Sequence, residues 1–271
     1  MKCKILIDNT PFGQYCAEWG LAVYIEYNGK KLLLDTGASP LFADNAEKMG
    51  VDLSEIDFGI LSHAHFDHSD GMDAFFARNQ KAKFHLRAGS GENCYDRKES
   101  GMEYIGVRQG LLGDYPERIV YVDGDFELMP GMWLIPHKTP NLDEIGKRIH
   151  MFTLEDGEYV PERFAHEQSL VIETSKGLVI FNSCSHGGAD NIITEVAATF
   201  PGKRLYALIG GFHLFRSTAQ EVEALARRMK ETGIERIVTG HCTGEAAAAI
   251  LREHFGDRML EMYSGLEFEI E

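Results

Sequence analysis

The chain has 271 residues, 44% hydrophobic and 25% charged, with a formal net charge of −15. That length buries a sizeable core, as one large α/β domain or two small ones. The acidic balance argues against a nucleic-acid partner, because binding to that backbone is driven by Lys and Arg neutralising phosphates. No apolar run reaches the length needed to cross a bilayer, and Met1-Lys2-Cys3-Lys4 leads into a strand rather than a signal peptide. The expectation is therefore a cytoplasmic protein with no membrane partner. Cys3, Cys16, Cys94, Cys184 and Cys242 form an odd, scattered set that reads as free thiols. Two of them adjoin histidines, in Cys184-Ser185-His186 and His241-Cys242.

Taken in order, Lys4 to Asp8 reads as a strand, followed by a loop from Asn9 to Trp19. Leu21 to Tyr27 and Lys30 to Leu34 form a hairpin around Asn28-Gly29, which supplies the positive φ angles of a tight primed turn. It ends at Asp35-Thr36-Gly37. Pro40 to Gly50 has helical spacing, with Leu41, Phe42, Ala46 and Met49 facing a core. Phe58 to Leu61 is a buried strand, and Asp70 to Arg78 a helix. From Asn79 to about Arg163 the pattern is weak. Short strands are expected at Lys83–Leu86, Arg118–Val122 and Met132–Ile135, around a Gly-rich stretch, Gly89 to Gly113, that reads as an insert or lid. His85, His137 and His150 match no motif there and read as surface or core residues.

Beyond this stretch, Gln168 to Glu173 and Leu178 to Phe181 pair as a second hairpin, with Cys184-Ser185-His186 after its second strand. A helix follows from Gly187-Gly188 to Phe200. Leu205 to Ile209 is a buried strand ending in Gly210-Gly211-Phe212-His213. Thr218 caps the next helix, with Glu221 completing a capping box and Gly233 as its stop. Arg236 to Thr239 is a strand ending in Gly240-His241-Cys242-Thr243-Gly244, before a helix to about Phe255 and a strand near Leu266 to Ile270. Both halves begin with a hairpin and continue into strand-helix units. The predicted class is α/β, with two mixed β-sheets inside and helices outside, because each sheet buries one face on the other and one under helices. No low-complexity linker separates the halves. Residues 1–271 are read as one domain, with an insert or lid around 79–163 left open.

The densest chemistry is Ser62-His63-Ala64-His65-Phe66-Asp67-His68-Ser69-Asp70-Gly71. On an extended segment His63, His65 and Asp67 share one face while Phe66 points the other way, and His68 follows as the chain turns toward a helix. Imidazole nitrogen and carboxylate oxygen are ligands that zinc and iron accept. His186, His213 and His241 also follow predicted strand ends, where α/β sheets gather their sites. Histidine at four such ends is better explained by convergence on one site than by packing.

With its H-x-H-x-D-H segment and its Leu34-Asp35-Thr36-Gly37 turn, the sequence resembles the metallo-β-lactamase superfamily. Cys184-Ser185-His186, Gly210-Gly211-Phe212-His213-Leu214 and Gly240-His241-Cys242-Thr243-Gly244 resemble its dihydropterin-phosphate synthase-like branch, linked to methanopterin biosynthesis. The resemblance implies a four-layer αββα sandwich and two divalent metal ions, with zinc preferred and iron or manganese as alternatives. It implies one ion held by His63, His65 and His186 and a second by Asp67, His68 and His241, with a water between them. Asp67 and His213 are the expected catalytic residues, His213 as a substrate contact or general acid. Asp35 is expected to orient a ligand. Many members carry a bridging aspartate at the strand end where this chain has Asn182-Ser183-Cys184, so Cys184 is read as a further ligand, a buried bystander thiol or a sign of single-metal binding, and His166 is a further candidate. The implied activity is metal-dependent hydrolysis of a small anionic substrate, a phosphoester or cyclic phosphate. Lactone, lactam or thioester hydrolysis, and an iron-binding redox or sensor role, remain alternatives.

Overall fold

In the computed structural model, which describes residues 1–270, the chain separates into two compact units. The first comprises Met1–Asp123, Pro140–Glu167 and Tyr263–Glu269, and the second is built from Gly124–Thr139 and Gln168–Met262.

A seven-stranded mixed sheet forms the first unit, in the order Glu267–Glu269, Lys2–Ile7, Ala22–Tyr27, Lys30–Leu34, Phe58–Ile60, Phe84–Arg87, Ile119–Val122. Its early strands pair antiparallel through the expected hairpin, whose turn residues Asn28 and Gly29 take φ of 49° and 71°. From Lys30–Leu34 onward the strands run parallel. Helices Leu41–Lys48 and Met72–Arg78 cover this sheet, so that Phe42, Ala46, Phe75 and Phe76 pack with Leu6, Leu33 and Phe84. The Phe84 ring is fully buried and meets Phe75 and Phe76 edge-on, with centroids 5.2 and 5.8 Å away.

The stretch from Gly89 to Gly113, expected as an insert or lid, contains a hairpin of Tyr95–Lys98 and Gly101–Tyr104. With Met151–Glu155 and Glu158–Pro161 it makes a four-stranded antiparallel sheet that sequence periodicity did not reveal. Its exit is tied to the histidine motif, because the Phe66 N–H donates to the Ile105 carbonyl at 2.9 Å and His65 bridges Gly106.

The second unit repeats the plan. Its seven-stranded mixed sheet runs Met259–Glu261, Arg236–Thr239, Leu205–Ile209, Gly177–Phe181, Gln168–Thr174, Met132–Pro136, Phe126–Met129. Helices Ala189–Thr199, Ala219–Glu231 and Glu245–Phe255 contribute Ile192, Ile193, Val222, Leu225 and Leu251 to a core with Ile180, Leu208 and Ile237. The expected Thr218–Glu221 capping box is present. Each unit thus has a mixed sheet with helices on it, as each half of the expected sandwich requires. No helix among the described residues is long and apolar enough to cross a membrane.

The motif departs from the extended geometry expected of it. His65 is extended, with φ −104° and ψ 151°, but it caps a short helix, Phe66–Ser69. Strand alternation therefore stops at His65. Asp67 and His68 are presented by a helical turn, in which neighbouring residues diverge by about 100° around the axis. Replacing Phe84 with Ala empties the centre of the first core, and we expect a loss of about 3–5 kcal/mol in denaturant-unfolding free energy.

Candidate metal centre

Asp35 organises the first unit's polar cluster. It follows strand Lys30–Leu34 with φ 61°, a conformation uncommon outside glycine, and its side chain is fully buried. Its Oδ1 accepts the Ser62 backbone N–H at 2.7 Å. Oδ2 accepts the Ser62 hydroxyl at 2.7 Å and His68 Nδ1–H at 2.8 Å. Ser62 Oγ is also 2.8 Å from His63 Nδ1. A hydroxyl has one proton, and here it goes to Asp35, so His63 Nδ1 must donate to Ser62. Both rings thereby present Nε2 as the atom able to bind a cation, the usual outcome when a carboxylate or hydroxyl fixes the other nitrogen.

His63 lies with its ring centroid 4.1 Å from that of His68 and 4.6 Å from that of His65, and Asp67 Oδ2 is 3.5 Å from His68 Nε2. All four residues are buried. Burial pulls His68 down, but Asp67 and Asp35 outweigh it and push the imidazole up to about 10. In the metal-free protein a proton on Nε2 thus occupies the position a cation would take. The donor set of imidazole nitrogen and carboxylate suits a divalent metal.

His166 is brought to the same cluster, with its ring 5.3 Å from His65 and 6.2 Å from His63. Its Nδ1 accepts the Ala64 backbone N–H at 3.1 Å. Since that N–H can only donate, the ring proton lies on Nε2, which faces Cys94 Sγ and Glu162 Oε2, both at 3.6 Å. This arrangement suits a hydrogen bonder that steadies the motif backbone.

In the second unit the polar residues again stand at strand ends in strained backbone. Ser185, His213 and His241 have φ of 53°, 49° and 49°, and with Asp35 they make four of the nine non-glycine residues at positive φ among those described. Such outliers persist where surrounding structure over-determines them, commonly at functional sites. Asn182 secures the first turn. Its Oδ1 accepts the Ser185 N–H at 2.8 Å, and its Nδ2 donates to Ser169 Oγ at 3.0 Å. Thr243 Oγ1 accepts the Phe212 N–H at 3.0 Å and lies 2.6 Å from Thr239 Oγ1, joining the other two turns.

His213 packs between His186 and Phe215, with ring centroids at 4.6 and 5.0 Å. Both its ring nitrogens are buried, and neither has a hydrogen-bond partner of ordinary geometry among the described residues. Cys184 faces Cys242, Sγ to Sγ, at 3.3 Å. Burial opposes ionisation of Cys242, but its contact with Cys184 and the His241 and His213 imidazoles outweigh burial and pull the thiol well below its ordinary range.

A model of the metallo-beta-lactamase superfamily matches residues 20–162, more than half of the chain. The chain belongs to that superfamily. Among proteins similar to it is the 7,8-dihydropterin-6-methyl-4-(beta-D-ribofuranosyl)-aminobenzene-5'-phosphate synthase of Methanocaldococcus jannaschii. The two are 28% identical over 95% of this chain and 90% of the relative. A solved structure, Tm1679, described as a metal-dependent hydrolase of the beta-lactamase superfamily, is 29% identical. It covers 100% of this chain and 99% of its own, with a TM-score of 0.84. A diphosphatase of the PhnP family shares the fold at 15% identity, with a TM-score of 0.54 over 100% of this chain and 98% of its own. The metallo-β-lactamase fold expected from the motifs is therefore the fold of this chain.

Within the first unit the structure gathers His63, His65, Asp67, His68, Asp35 and His166, and within the second Cys184, His186, His213 and His241. Sequence reasoning missed Ser62, whose value lies in being one residue before His63 and opposite Asp35. It also set aside His137, which lies at the end of strand Met132–Pro136 and bonds Glu195 Oε2 at 3.1 Å. A Cβ on Gly187 would lie 2.5 Å from the His137 ring, so His137 sits directly against the turn carrying His186. No sequence motif marks that contact.

Asp35→Asn keeps the volume but cannot accept from both Ser62 and His68 with the same charge. Zinc affinity should fall roughly 10–100-fold, measured by competition with a chromophoric chelator, with the fold intact by circular dichroism. A divalent ion that takes His68 Nε2 must displace its proton near pH 7.5, because that group titrates only near 10. The sign follows: affinity weakens as pH falls below about 10. Calorimetric heats that do not vary with buffer ionisation enthalpy would contradict it.

Proposed function

We propose that the protein is a metal-dependent hydrolase acting on a small anionic substrate, most plainly a phosphoester or cyclic phosphate. The observation that carries this reading is the Asp35–Ser62 relay, which fixes His63 and His68 in the tautomer a metal requires. In this reading His63, His65 and His186 form one ligand set, and Asp67, His68 and His241 the other. Each set keeps three protein ligands, as catalytic rather than structural sites do. Divalent ions, with zinc preferred, supply a water deprotonated near neutral pH and stabilise charge on substrate oxygens.

The chain's own residues contribute the rest. Asp67, the carboxylate of the second set, is assigned to take the proton of the attacking water. His213, whose ring nitrogens are buried without a hydrogen bond of ordinary geometry among the described residues, would donate to the leaving oxygen. Arg216 sits over the Phe215 ring at 5.0 Å, and Phe215 packs on His213, which makes Arg216 the basic residue we assign to contact a substrate anion. Lys138, by contrast, is bound by Asp125 and Thr199, at 2.8 and 2.7 Å. Support for a phosphate-bearing substrate comes from the M. jannaschii relative, whose named product carries a 5'-phosphate, and for hydrolysis from the description of Tm1679.

The test pairs metal analysis with turnover. His65→Ala should lose metal and activity together. His213→Ala should retain metal while kcat falls about 10²–10⁴-fold, the usual contribution of general acid–base catalysis. Loss of metal in His213→Ala would show that His213 is a ligand. Turnover of lactones or thioesters but not of phosphodiesters would replace the proposed substrate class, and stoichiometric iron with a visible absorption band would favour redox chemistry.

A further inference from the structure

Strand Leu205–Ile209 lies between Gly177–Phe181 and Arg236–Thr239 in the second unit's sheet. Segments leaving the two outer strands can meet only across the end of the middle one, and that end is Gly210-Gly211. A Cβ on Gly210 would lie 1.8 Å from the Asn182 carbonyl oxygen. One on Gly211 would lie 2.5 Å from Cys242 Sγ and 2.9 Å from the Ser183 carbonyl oxygen. The absence of side chains at these positions is what lets the two thiols approach over the middle strand. Cys184 and Cys242 are 3% and 1% exposed, and their sulfurs are 3.3 Å apart. A disulfide needs about 2.0 Å between sulfurs, so bonding requires a contraction of about 1.3 Å.

We propose that Cys184 and Cys242 form an oxidation site, a dithiol that closes to a reversible disulfide when it meets a peroxide. One sulfur attacks a peroxide oxygen, breaking the O–O bond and giving a sulfenic acid and one water. The second sulfur then attacks the sulfenic sulfur, forming the S–S bond and expelling the hydroxyl as a second water. The two thiols supply two electrons and two protons, and one hydrogen peroxide becomes two waters. The consequence for function rests on the metal-site reading given above. Cys242 adjoins His241, and Cys184 is two residues from His186, so drawing the sulfurs together displaces two proposed metal ligands and weakens metal retention.

The experiment treats the full-length, metal-loaded protein with hydrogen peroxide. It then counts thiols under denaturing conditions, maps cross-linked peptides and measures bound metal. The expected result is loss of two of the five thiols, a Cys184–Cys242 cross-link reversed by dithiothreitol, and at least a twofold fall in retained metal. Persistence of all five thiols, over-oxidation of a single cysteine, or a cross-link through Cys3, Cys16 or Cys94 would overturn the proposal. Cys242→Ser should abolish the cross-link. If that variant does not fold, the map of the unsubstituted protein decides. The cross-link is scored without any substrate, so failure of the oxidation site is distinguishable from failure of the hydrolase reading. A cross-link that leaves metal content unchanged would overturn only the coupling to the metal.

Discussion

A carboxylate with no exposure to water must have its lone pairs satisfied, and Asp35 meets that requirement with Ser62 and His68. The constraint runs in both directions. Asp35 is stable inside the protein because those donors are aimed at it. They in turn are held in one orientation because the alternative is an unsatisfied buried charge. Through Ser62 the same carboxylate reaches His63, so one side chain sets the tautomers of two imidazoles. The left-handed backbone at Asp35 is the local cost, and the hydrogen bonds around it offset that cost.

The second unit solves a similar problem with neutral groups. Asn182, Thr239 and Thr243 hold the turns after three parallel strands, and Ser185, His213 and His241 occupy the positive-φ positions these turns demand. A histidine placed at a strand end in this way has little freedom to swing away. Ligand binding then requires less ordering of the side chains than a flexible loop would. Glu195, buried in helix Ala189–Thr199, extends the principle. Its Oε1 accepts the Lys138 and Thr139 N–H groups at 3.0 and 2.8 Å while Oε2 holds His137, which fixes the chain beside Gly187. These contacts, with the Thr139 hydroxyl, outweigh the burial that would raise Glu195 and lower its pKa instead. Its contribution to stability is therefore present near neutral pH and lost as acid protonates it.

Much of this was legible in the sequence because the signals are local. The Asn28-Gly29 hairpin, the helix with apolar Phe42 and Ala46, the strand Leu205–Ile209 and the Thr218–Glu221 cap each depend on residues within a few positions of one another. The region from Asn79 to Arg163 was illegible for the opposite reason. Tyr95–Lys98 and Met151–Glu155 are short and partly exposed, each has a hairpin partner with little hydrophobic pattern, and the two pair with each other across more than fifty residues. Periodicity over four residues does not separate such strands from loop. Helical presentation of Asp67 was likewise hidden, because an alternating pattern of histidines reads as extended until tertiary bonds to Ile105 turn the chain.

By itself the sequence determined the superfamily, a mixed sheet in each half and the residues with metal-binding chemistry, since these follow from motif spacing and local hydrophobic pattern. Tertiary structure decided what each of those residues faces. That Ser62 lies opposite Asp35, that His166 is turned to receive the Ala64 N–H, and that Cys184 reaches Cys242 over Gly210-Gly211 are contacts between segments far apart in the chain. Hydrogen-bond direction and close approach depend on three-dimensional position. No one-dimensional spacing encodes them.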